Sequence, residues 1–144
     1  MQFIKTFKEI SKLDVLIAGG KGASLGEMTS FGIPIPSGFV ILSNAFEHFL
    51  KETNIFADVD AILHKVNHKE ISSVENASEK IKSMILSKKI PKNIENEINK
   101  YFKKLNSKFV AVRSSATSED SSTAAWAGQL ETYLNTSEDK LLEN

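Results

Sequence analysis

Two short segments of this 144-residue chain carry residue types whose spacing could handle a phosphate group. The first is Gly19-Gly-Lys-Gly-Ala-Ser-Leu-Gly26. Glycines that lead into a helix leave backbone N–H groups at its positive end, where an anion is favoured, and the Lys21 ammonium is placed to add to that site. It is not a Walker A loop, because Gly22 follows Lys21 where Ser or Thr is required. It is not a dinucleotide fingerprint either: after Gly20 and Gly22 the third glycine position holds Leu25. The competing reading is a tight turn with a solvated lysine. The second segment is Val112-Arg-Ser-Ser-Ala-Thr-Ser-Glu-Asp120. An arginine leaving a strand, followed by hydroxyl residues, can offer a phosphate a bidentate fork and several weaker donors. The alternative is a surface arginine paired with Glu119 or Asp120. Arg113 is the chain's sole arginine beside 17 lysines, and the guanidinium fork does what an ammonium cannot.

Other candidates are weaker. His64 and His68 have the four-residue spacing of a metal pair, but no third ligand accompanies them, so surface histidines are the reading for these two and for His48. There is no cysteine, which excludes disulfides and thiolate chemistry. Eighteen basic and 18 acidic residues cancel, so nothing demands a nucleic-acid partner. No apolar run approaches the roughly 18 residues of a membrane span, and Met1-Gln-Phe-Ile-Lys5 lacks a signal-peptide core. A cytoplasmic chain is the expectation.

Three zones must position the two segments. Residues 1 to 42 contain six of the seven glycines. Here Phe3-Ile4 and Val15-Leu-Ile17 read as short strands, and Gly22 to Ser30 as a helix ended by Gly32. The turn Ile33-Pro-Ile-Pro-Ser-Gly38 leads into a buried strand, Phe39 to Leu42. From Ser43 to Asn106 the pattern is helical. Ile55, Phe56, Val59, Ile62, Leu63 and Val66 form one stripe. A second, from Ala77 to Ile85, follows Ser72-Ser-Val-Glu75, which has capping-box spacing. A third, after Pro91, runs Ile94, Ile98, Tyr101, Phe102 and Leu105. The last zone holds a strand, Phe109 to Val112, a hydroxyl-rich loop with Trp126, a strand near Leu130 to Leu134, and a helix from Glu138. The length fits one α+β domain.

Together these segments resemble the N-terminal ATP-binding domain of the phosphoenolpyruvate synthase and pyruvate, phosphate dikinase group, which includes rifamycin phosphotransferases. Three blocks carry the resemblance: Gly19 to Met28; Ile35 to Ile41; and Phe109 to Asp120 running on to Ala127-Gly-Gln-Leu-Glu-Thr-Tyr-Leu-Asn135. Ser121-Ser122 stands where the family has an apolar residue and proline, and Trp126 where phenylalanine is common. The resemblance implies the N-terminal part of an ATP-grasp-like domain, made of short strands with an inserted helical segment and spanning residues 1–144. In such a family ATP's β-phosphate passes to a histidine and then to pyruvate or another acceptor. Lys21 and Arg113 would then contact the ATP phosphates, while Gly128 and Thr132 would line the nucleotide site. No catalytic residue is expected here. The Mg2+ ligands, the phosphorylated histidine and the acceptor domain are expected outside these residues. ATP is therefore the expected ligand, with pyruvate reached only through those other parts. The chain alone is expected to be inactive. A different reading is a non-catalytic subunit that docks on a partner chain, or associates with itself, through the face the absent half would cover. A further one is the ATP domain of a rifamycin phosphotransferase.

Overall fold

A computed structural model of the chain describes residues 1–117 and 131–142. The chain divides into two units, Met1–Ala45 with Lys92–Asn144, and Phe46–Pro91. The helical segment expected in the middle is thus an insertion within the first unit, with one difference. The third apolar stripe belongs to the first unit and not to the insertion.

The first unit begins with strand β1 (Ile4–Thr6), paired antiparallel with β2 (Phe39–Ile41) in the register Ile4 to Ile41 and Thr6 to Phe39. Two local devices connect β1 to the first helix. The Glu9 carboxylate accepts from the Thr6 N–H (2.8 Å) and hydroxyl (2.6 Å). The Asp14 carboxylate accepts likewise from the Ser11 N–H (2.8 Å) and hydroxyl (2.9 Å), and the Ser11 hydroxyl in turn accepts from the Leu13 N–H (3.2 Å), which satisfies donors ahead of a helical turn. Hydrogen bonds from Thr6 hold the Glu9 carboxyl below its usual range, the side-chain bond most and the backbone bond next. Asp14 is lowered too, chiefly by the Ser11 N–H and then by the Ser11 hydroxyl.

Helix α1 (Val15–Ser30) follows directly and is broken at Gly19, whose φ and ψ are 72° and 168°. Val15 to Ile17 therefore form the first turn of a helix and not the strand their branched side chains suggest. The Ser11–Asp14 cap starts a helix immediately before them, and Leu16 stays exposed (80%), so no sheet partner competes. The expected end at Gly32 is found: Gly32 has φ 71°, its N–H donates to Thr29 O (3.1 Å) and the Ile33 N–H to Met28 O (3.1 Å). This is the paired closure of a helix by a left-handed glycine. β2 is half-buried, with only the following Leu42 fully covered, beside Ile10, Ala18 and the partly covered Val40.

Helix α2 (Ser43–Glu52) crosses the boundary between the units. The inserted unit continues with α3 (Phe56–His64) and α4 (Ile71–Leu86). The capping box expected at Ser72 to Glu75 does not form. α4 starts two residues earlier than that box requires, at Ile71 after an extended Glu70, and the Ser73 hydroxyl accepts from the Asn67 N–H (2.9 Å).

The chain returns to the first unit as α5 (Lys92–Leu105), which buries Ile94, Ile98 and Phe102 of the expected stripe. α5 packs on β1, and Glu97 on it accepts from the N–H groups of Phe3 and Ile4 (3.2 Å each). A second antiparallel pair joins β3 (Val110–Arg113) to β4 (Thr132–Thr136), irregular between Val110 and Val112. Where a helix was expected from Glu138, a single 3-10 turn, Glu138–Lys140, is formed. The architecture is α+β, with two small antiparallel sheets among the described residues.

Candidate functional site

The two segments read as phosphate-handling are 93 to 97 residues apart in sequence, and hydrogen bonds join them. The junction is the break in α1. In an unbroken helix the Gly22 N–H would donate to the Ala18 carbonyl. Here the Ser115 hydroxyl stands between them, accepting from the Gly22 N–H (3.2 Å) and donating to Ala18 O (2.9 Å). The next residue, Ala116, accepts from the Gly20 N–H through its carbonyl (3.1 Å). A side chain inserted into the helical ladder is a recognised cause of a sharp kink.

Glycine at position 19 is required twice over. Its backbone occupies a region essentially restricted to glycine, and a Cβ there would lie 2.2 Å from the Ser115 hydroxyl and 2.7 Å from the Ser115 carbonyl carbon. The glycines thus let the α1 break and the loop after β3 approach at backbone distance. Two of the N–H groups that the sequence offered to an anion donate to that loop instead.

Three of the four residues assigned to the site lie at this junction. Lys21, half-buried, stands between Gly20 and Gly22, the two residues bonded to the loop. Arg113, exposed, ends β3 two residues before Ser115. Thr132, also exposed, is its partner across the strand pair, and residues directly opposite in an antiparallel pair project on the same face. The pair is closed there by Ser114, whose N–H (3.2 Å) and hydroxyl (3.0 Å) both donate to Glu131 O. Gly128 lies outside the described residues, as do Glu119, Asp120 and Trp126.

Close by on β4, the Tyr133 hydroxyl donates to the Glu131 carboxylate. That hydrogen bond, and then the negative charge, push the Tyr133 hydroxyl's pKa up. Among the described residues no carboxylate lies within ion-pair distance of Arg113. The junction carries a lysine, an arginine and several hydroxyls, residue types suited to an oxyanion.

Magnesium accompanies the triphosphate in the chemistry the resemblance implies. Among the described residues no His, Asp and Glu side chains form a group of three or more able to hold a metal. His64 is engaged with Asp60, its Nδ1 lying 2.9 Å from the Asp60 carbonyl and 3.4 Å from its carboxylate. His68 falls beyond the end of α3, so the two are not on one helical face.

The same unit also contains a cleft of about 360 Å³ between Phe7, Phe39, Tyr101 and Lys104. Neither Lys21 nor Arg113 lines it. The residue that sequence reasoning missed is Ser115. It was one hydroxyl among several after Arg113, and its role depends on a partner that no local spacing reveals.

Comparison with known proteins bears on the same segments. Relatives include a "Probable phosphoenolpyruvate synthase" of Methanocaldococcus jannaschii, 43% identical over 94% of this chain and 12% of the relative. The phosphoenolpyruvate synthase of Aquifex aeolicus is 39% identical over 88% of this chain and 16% of its own length. That of Pyrococcus furiosus is 38% identical over 93% of this chain and 21% of its own length. The chain thus spans between about an eighth and a fifth of these relatives. Residues 15–144, which include both joined segments, match the family described as Pyruvate phosphate dikinase, AMP/ATP-binding domain, and the chain belongs to that family.

Proposed function

We propose that this chain binds ATP at the junction of the α1 break and the loop after β3. Lys21 and Arg113 would hold the triphosphate, with Thr132 and Gly128 lining the site. The observation that carries this reading is the Ser115 bridge, which brings a lysine-bearing glycine segment and an arginine-bearing loop to hydrogen-bonding distance. A triphosphate is an array of oxyanions. A point-charge lysine and a forked arginine are complementary means of binding it.

In this reading the chain is the first part of an ATP-grasp-like nucleotide domain in a phosphotransferase of the pyruvate, water dikinase type. ATP's phosphate would pass by way of a histidine to pyruvate in a protein as long as the relatives. Phosphoryl transfer depends mostly on positioning and charge stabilisation, and these residues supply part of the positioning. The magnesium chemistry of the whole enzyme would draw on ligands other than the described residues. Incubated with ATP, Mg2+ and pyruvate, the 144-residue chain is expected to release no AMP above background; clear turnover would contradict this assignment of roles.

Calorimetric titration with ATP tests the binding itself. Weak, saturable binding is expected, with Lys21→Ala and Arg113→Ala each losing about tenfold in affinity, the scale of one charge-assisted hydrogen bond. Micromolar binding that survives both substitutions would rule the site out.

A second reading, a non-catalytic subunit that docks on a separate chain, is favoured by one observation. Leu13, in the turn just before α1, and Leu16, in its first turn, are 84% and 80% exposed. Light scattering decides it: a partner-dependent chain self-associates or aggregates alone, and a monodisperse monomer argues against docking.

A further inference from the structure

The half of α1 that follows the break has glycine at its N-cap position, and a glycine has no side chain with which to cap it. The cap comes from elsewhere in the chain. The Ser115 hydroxyl accepts the N–H of Gly22, the third residue of that half (3.2 Å), which is the bond a serine at the N-cap would make. The same hydroxyl donates to Ala18 O (2.9 Å), closing the half before the break. Serine can do both because its hydroxyl is donor and acceptor at once. Remove it, and the Gly22 N–H can recover the Ala18 carbonyl by the ordinary helical bond. Gly19 can follow, since glycine passes between positive and negative φ without steric penalty. Gly19 permits either a broken or a continuous α1, and Ser115 selects the broken one.

We infer that Ser115 is a positioning residue: its hydroxyl keeps α1 broken at Gly19 and so sets Lys21, in the first turn after the break, against Arg113, two residues before the serine. The functional half of this inference rests on the nucleotide reading above; the structural half does not. Ser115 itself need not touch the ligand. Its one O–H proton is already donated to Ala18 O, so none is left for an oxyanion.

The test combines ATP titration with a thermal-melting cycle on the full chain. Ser115→Ala is expected to weaken ATP binding about tenfold while the circular dichroism stays that of a folded protein. Ser115→Thr, which keeps the hydroxyl, restores binding to within about threefold of wild type. Gly19→Ala lowers the melting temperature in the wild-type background, where a Cβ would collide with Ser115. In the Ser115→Ala background it has no effect or raises it, because alanine is the better residue in a continuous helix.

Unchanged ATP affinity in Ser115→Ala, alongside losses in Lys21→Ala and Arg113→Ala, would overturn the positioning role and leave the nucleotide reading standing. A wild-type chain that does not bind ATP at all removes the nucleotide reading and the functional half with it. The cycle then judges the structural half, which additive penalties in the two backgrounds would overturn. If Ser115→Ala does not fold, Ser115→Cys replaces it in both assays. Its weaker donor and acceptor predict an intermediate loss of affinity, and wild-type affinity in that variant would count against the inference.

Discussion

At the scale of single residues, the decisive contact is a serine hydroxyl held between an amide and a carbonyl of one helix. Removing it leaves two partly buried backbone groups without their partner, a loss of about 1–3 kcal/mol if α1 stays broken. Urea denaturation of Ser115→Ala measures this, and a smaller loss is the signature of α1 closing its own ladder. Gly19→Ala combines backbone strain of about 1–3 kcal/mol with the collision at Ser115, so it should be the more damaging of the two single changes. A third prediction concerns acid. Glu9 and Asp14 both have lowered pKa values in the folded chain, from their hydrogen bonds to Thr6 and Ser11. A depressed carboxylate contributes stability that is fully present above its unfolded pKa, near 4, and is lost as the pH falls through the folded value. Melting temperature followed from pH 7 downward should drop below about pH 4, and Ser11→Ala should flatten part of that drop. The glycine run and the lone arginine stood out in the sequence because their types are rare where they occur. Ser115 did not, because a bridge across 93 residues leaves no local pattern.

At the scale of elements, legibility followed how much of each signal was local. The end of α1 at Gly32 and the stripe of α5 depend on spacings within one helix, and both are as the sequence implies. Ile98 on that stripe is 5% exposed, so Ile98→Ala should cost about 2–5 kcal/mol in denaturant. A value under about 1 kcal/mol would mean that α5 is not a core element. Val15 to Ile17 misled because three branched or apolar residues in a row suit a strand as well as a helical turn. The cap that decides the matter lies just upstream, at Ser11 and Asp14. The box at Ser72 to Glu75 had correct spacing, yet α4 begins at Ile71 and draws Ser72 into its first turn. Glu97 was invisible for the same reason as Ser115, since its partners, Phe3 and Ile4, lie 94 and 93 residues away.

At the scale of the whole molecule, a unit made of the two ends of the chain carries both joined segments, and a helical unit is inserted in its sequence. This arrangement explains why motifs so far apart can form one site: the insertion separates them in sequence, not in the unit they build. The family match covers residues 15–144 and so includes both, while relatives five to eight times longer contain much that this chain does not. The central claim is that the α1 break and the loop after β3 form one triphosphate site. Titrating the 15N-labelled chain with ATP while following backbone amide resonances tests it most directly. Gly20, Lys21, Gly22, Ser114, Ser115 and Thr132 are expected to shift together along one saturation curve, and Arg113→Ala is expected to move that curve, on the α1 side as well, to about tenfold higher ATP. Shifts confined to the cleft around Phe7, Phe39 and Tyr101, with the glycine segment silent, would contradict it.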